Sequence, residues 1–138
     1  MRFPNWPDLL AGFIEARRSR PFEWGVNDCC LFAADWVALA TGKDPAADLR
    51  GTYSTALSAQ RIVADAGGLA QLVEEALRRH GFKPIIATLA MRGDLIVRDS
   101  GQGDCVGVVL GAQSAFVGAE GLAFAATNEQ TDSRFWKI

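Results

Sequence analysis

The sequence predicts an α+β domain in which N-terminal helices pack on a small antiparallel β-sheet. Three observations predict it. Apolar residues recur at helical spacing up to Pro84, and after that point the pattern changes to short apolar runs separated by Gly-rich turns. The 138 residues are 49% hydrophobic and 22% charged, enough apolar material for one core and too much for a disordered chain. Helices first and strands second is the order of an α+β fold.

The first helix is expected in PDLLAGFIEARRSRP, where Leu9, Leu10, Phe13 and Ile14 share a face. Pro7 suits its N-terminus and Pro21 ends it. Residues 21–27 hold Pro, Trp and Gly and read as a loop. A second helix begins near Asp28, capped by Asn27 or Asp28, and stops at Gly42. It is apolar around most of its circumference, so it is expected to be central. A loop with Pro45 and Gly51 follows, then helices over roughly 54–65 and 69–80, divided by Gly67 and Gly68 and ended by Gly81. Strands are expected at 93–97, 105–111, 114–118 and 122–126, with FWKI at 135–138 as a fifth. No repeat or linker divides the chain, which reads as a single domain over 1–138.

The net charge of -2 provides no electrostatic reason for nucleic acid to be the main partner. No run of 18 apolar residues exists, so no transmembrane helix is expected. The N-terminus lacks the basic and apolar regions of a secretory signal. Cys29, Cys30 and Cys105 are an odd count and do not make a disulfide framework, which is consistent with folding in a reducing cytoplasm.

The most specific local pattern is FEWGVNDCCLFAADWV, residues 22–37. A cysteine in the first turn of a buried helix meets unpaired backbone N–H groups and the positive end of the helix dipole, both of which stabilise a thiolate. Such a residue suits a nucleophile. Equally, cysteine is among the most buried residue types and often only packs.

The W-G-x-x-D-C pattern at a helix start resembles the active-site entry of the NlpC-like cell-wall peptidases, a papain-related family. Trp24, Gly25, Asp28 and Cys29 match it, and Cys30 stands where serine is usual. The family's G-D-L-V strand is matched by Gly93-Asp94-Leu95-Ile96-Val97. Its H-V-G-I-Y-L-G strand is matched by Cys105 to Gly111. The resemblance covers roughly 21–118 and implies a papain-like, NlpC-type fold, with 44–83 as a helical insertion and candidate partner-binding surface. It implies Cys29 as the position of the nucleophile, Trp24, Gly25 and Asp28 as the entry motif, and Asp94 as a further binding position.

The whole chain, through DPAADLRGTYSTA, the Gly67-Gly68 pair and AFVGAEGL, is similar to a family of small phage and prophage proteins encoded among tail genes. That resemblance implies other tail or baseplate proteins as partners, assembly in the host cytoplasm and a final place in the virion tail.

Cys105 stands where the peptidase family has its catalytic histidine. A thiol cannot replace imidazole in taking the nucleophile's proton and returning it to the leaving amine. His80, the only histidine, ends a helix, where the dipole favours a cation. Asp28, Asp94 and Asp104 are conceivable neighbours of Cys29, but a carboxylate is a poor base for a thiol. Three readings follow. The favoured one is a non-catalytic tail component in which Cys29 is vestigial and no cofactor is needed. In the second, Cys29 and Cys105 face each other and form a disulfide, or share zinc or an iron–sulfur cluster with Cys30. In the third, a partner supplies the base for a peptidase or amidase acting on peptidoglycan stem peptides.

Of the remaining residues, Trp36 is expected in the core. Trp6 and Trp136 are expected either as interface anchors or in edge packing. Arg17, Arg18 and Arg20, like Arg78 and Arg79, are expected on solvated helix faces. Arg50 is expected to tie down its loop through a carboxylate or a carbonyl.

Overall fold

The computed structural model describes residues 1–138 and meets the α+β expectation. Four helices, α1 (Trp6–Arg17), α2 (Cys29–Thr41), α3 (Ala56–Ala66) and α4 (Leu69–Arg79), precede the whole sheet. The strands are β1 (Lys83–Ile85), β2 (Leu95–Asp99), β3 (Asp104–Val109), β4 (Gln113–Gly118), β5 (Gly121–Ala126) and β6 (Arg134–Lys137), with a 3-10 turn at Ala87–Leu89. No helix is long and apolar enough to cross a membrane.

The strands form one antiparallel sheet in the order β1-β6-β2-β3-β4-β5. The expected meander is present as β2 to β5. Two features of the other flank were not expected. The C-terminal strand inserts beside β2, and a sixth strand, β1, pairs outside it. Pro84 hides β1 from a sequence reading because proline cannot donate to a central ladder. The strand is tolerated because it lies at the sheet edge.

Alternation along the strands divides the core between two faces. Leu95, Val97, Val106, Val108 and Trp136 point towards the helices and meet Leu10, Phe13, Phe32, Trp36 and Leu77. Ile96, Val109, Phe116 and Phe135 form a smaller cluster on the opposite face. Burying each such side chain contributes about 1.5–3 kcal/mol. Trp36 is fully buried, as expected, and its indole N–H donates to the Gly93 carbonyl at 2.8 Å. Trp136 is also fully buried, which corrects the interface-anchor expectation for it. Trp6 is half-buried beneath the Arg2 guanidinium.

α2 is central because it is apolar around most of its circumference, and both of its ends are well defined. Asp28 caps its start through a hydrogen bond accepted from the Leu31 N–H, and Gly42 ends it in the left-handed conformation. α3 begins with a capping box between Thr55 and Ser58. Arg50 meets its expectation by donating to both Asp35 and Asp44 at 2.7 Å. Arg17 corrects the solvated-face expectation. Its guanidinium turns inward to Asp35 at 2.7 Å, and its side chain is only 13% exposed. Arg78 and Arg79 are exposed, as expected, and reach Glu75.

Candidate functional site

The loop before α2 is held by its own polar groups. The Asn27 side chain donates to the Pro21 carbonyl at 2.9 Å. Asp28 then closes the loop onto the helix. One carboxylate oxygen accepts from the Leu31 N–H at 2.9 Å, and the other accepts from the Gly25 N–H at 2.9 Å and the Tyr53 hydroxyl at 2.5 Å. Burying this carboxylate is tolerable because three donors replace its water. Gly25 has φ +76°, and any Cβ there would collide with the Tyr53 carbonyl. These contacts account physically for the Gly-x-x-Asp part of the motif.

Cys29 is the first residue of α2, and β3 runs alongside its thiol. The adjacent Cys30 thiol holds Cys29 below the ordinary thiol value against the opposing cost of burial. The Val106 and Cys30 backbone N–H groups act in the same direction, and the nearby Asp28 carboxylate opposes them. Cys30, the other thiol of this buried pair, is pushed well up. Charge at this pair therefore gathers on Cys29.

The two sulfurs open into a cleft of about 460 Å³. Its lining includes Trp24, Asp28 and Tyr53, together with Val63, Leu69 and Leu72 from the α3–α4 hairpin and Gln102 and Asp104 from the β2–β3 hairpin. The 44–83 segment thus walls the cleft. A separate apolar pit of about 40 Å³ lies alongside and shares Cys30, Leu49 and Leu72 with it. Ala33, Ala34, Ala46 and Ala76 are among its lining.

Cys105 and Asp94 are placed differently from expectation, while His80 and Asp104 lie where they were expected. Cys105 does not face Cys29. Its strand neighbour Val106 packs towards the helices, so alternation sends Cys105 to the opposite face, against the cluster of Ile96, Val109, Phe116 and Phe135. Its thiol is pushed up to about 11, first by burial and then by the charge of Cys29. All three cysteines are free, and no group of three or more His, Cys, Asp or Glu is gathered to hold a metal ion.

Asp94 lies outside the cleft. It is fully buried and held by Arg2 at 2.6 Å and by the Met91 and Ile138 N–H groups, so its role is in joining the chain's two ends. His80 ends α4, with its ring nitrogen 3.0 Å from the Ala76 carbonyl, and it does not line the cleft. Asp104 does line it.

Sequence reasoning pointed to the 44–83 segment but missed Tyr53 and the Val106 N–H. Tyr53 is the only tyrosine in the chain, but nothing in its local spacing points to Asp28, since only the folded loop brings them together.

A family model described as a domain of unknown function (DUF6950) matches residues 1–138. No curated protein matches the chain.

Proposed function

The chain belongs to the DUF6950 family, and for this member we propose a structural role in a phage or prophage tail, at the tip or baseplate or in tail assembly. In this reading a non-catalytic, NlpC-like and papain-related domain acts by protein–protein contact, in the host cytoplasm during assembly and then in the virion tail. The observation that carries the non-catalytic part is the position of the candidate bases. Cys29 sits at the head of the central helix, yet no imidazole reaches it. His80 is engaged at the end of α4, and the side chain at position 105 is a thiol turned to the other face. A mainly apolar cleft beside the inactive sulfur suits a segment of a partner protein. The tail setting is supported by the resemblance of the whole chain to small phage and prophage proteins.

The test is incorporation. Tails purified from a producing strain should contain the chain, and Cys29→Ser should be incorporated as well as the wild type. Release of muropeptides from purified peptidoglycan by wild type but not by Cys29→Ser would overturn the proposal.

One observation favours a second reading. The Cys30 thiol and the Val106 and Cys30 backbone N–H groups hold the Cys29 thiol below its ordinary value. A peptidase or amidase acting on peptidoglycan stem peptides would use that sulfur as nucleophile and would need a base from a neighbouring subunit. Activity that appears only when tail proteins are added, and disappears in Cys29→Ser, would support it.

A further inference from the structure

We propose that the cleft takes an extended protein segment with a small aliphatic side chain next to a lysine or arginine. This rests on the reading of the cleft as a protein-contact surface and names the chemistry of the partner. The aliphatic requirement comes from the walls. The α3–α4 side presents Val63, Leu69 and Leu72, and the pit behind Cys30 is lined by small apolar groups, including Ala33, Ala34 and Ala76. Nothing polar in the pit could pair with a hydroxyl or an amide, so only an apolar group enters it without losing hydrogen bonds.

The basic requirement comes from the charge around the cleft. Its lining includes Asp28 and Asp104 and contains no Lys, Arg or His. Asp99 lies directly opposite Asp104 across the β2–β3 hairpin, and both are exposed. Side chains directly opposite in an antiparallel pair share a face, so the two carboxylates repel each other. Neither forms a salt bridge within the chain, although Arg98 beside Asp99 is engaged with Glu129. A cation placed between Asp99 and Asp104 relieves the repulsion, an attraction that salt weakens because both carboxylates are exposed. The charge complement is therefore a basic side chain, and an acidic segment is repelled.

The experiment uses the full chain and three fluorescein-labelled extended peptides. One carries valine followed by lysine, the second replaces the lysine with glutamate, and the third replaces the valine with glycine. In low-salt anisotropy titrations the valine–lysine peptide should bind at least about fivefold more tightly than either of the others. The double variant Asp99→Asn, Asp104→Asn, with its fold checked by circular dichroism, should lose the preference for lysine over glutamate and keep the preference for valine over glycine. Equal affinity for the lysine and glutamate peptides, an unchanged preference in the double variant, or no binding of the lysine peptide at millimolar concentration would each overturn the proposal. Tighter binding of a peptidoglycan stem peptide than of the valine–lysine peptide would do so too. Failure of the contact reading itself would show separately, as muropeptide release that depends on Cys29.

Discussion

The Tyr53 hydroxyl donates to a carboxylate oxygen of Asp28 at 2.5 Å, so the loop after α2 is fastened to the residue that caps the start of α2. This bond joins the 44–83 segment to the motif loop and sets one side of the cleft. Burial, followed by the Asp28 hydrogen bond and charge, pushes the Tyr53 phenol far above its ordinary value. A phenol whose folded value is raised contributes stability that is complete below the unfolded value of about 10 and is lost as pH rises beyond it. Tyr53 is the only tyrosine, so phenolate absorbance reports on it alone. The absorbance should rise together with alkaline unfolding rather than before it. Tyr53→Phe should lower stability by about 1–2 kcal/mol in a denaturant titration.

The cysteines should differ in reactivity. Alkylation followed by peptide mass spectrometry should show Cys29 reacting with a midpoint below the free-thiol value of about 8.5. Cys105 should react with a midpoint of about 11, and Cys30 should lag behind Cys29. Cys30→Ala removes the thiol that most lowers Cys29, so the Cys29 midpoint should move up. An ordinary midpoint at Cys29 in the wild type would mean that its surroundings do not stabilise the thiolate.

Arg2 holds the two ends of the chain together. Its guanidinium donates to Asp94, to the Arg92 carbonyl and to the Ile138 carbonyl. Arg2→Ala leaves the fully buried Asp94 carboxylate without its cation and should cost about 3–5 kcal/mol. Thermal unfolding of the variant measures this. A loss under 1 kcal/mol would mean that the backbone donors from Met91 and Ile138 suffice for Asp94.

Gly25 should not tolerate a side chain. Alanine there meets the Tyr53 carbonyl and must also adopt a positive φ. Gly25→Ala should lower the melting temperature and displace the Tyr53 loop. That displacement is readable as loss of the raised Tyr53 titration. An unchanged melting temperature would show that the loop can move away from the motif without cost.

The sequence by itself determined the α+β class, the four helices, the capped start of the central helix and most of the strands. These follow from periodicity, capping residues and glycine punctuation, which are local properties of the chain. Its limits were equally physical. The place of β6 beside β2 and the edge strand at Pro84 depend on long-range pairing that no local pattern encodes. The inward turn of Arg17, the burial of Trp136 and the role of Asp94 depend on which groups lie opposite after folding. The cleft shows the same division. The cysteine at a helix start was readable in the sequence, while the direction in which Cys105 points was not. Side chains on a strand alternate, and only tertiary packing decides which of its two faces meets the helices.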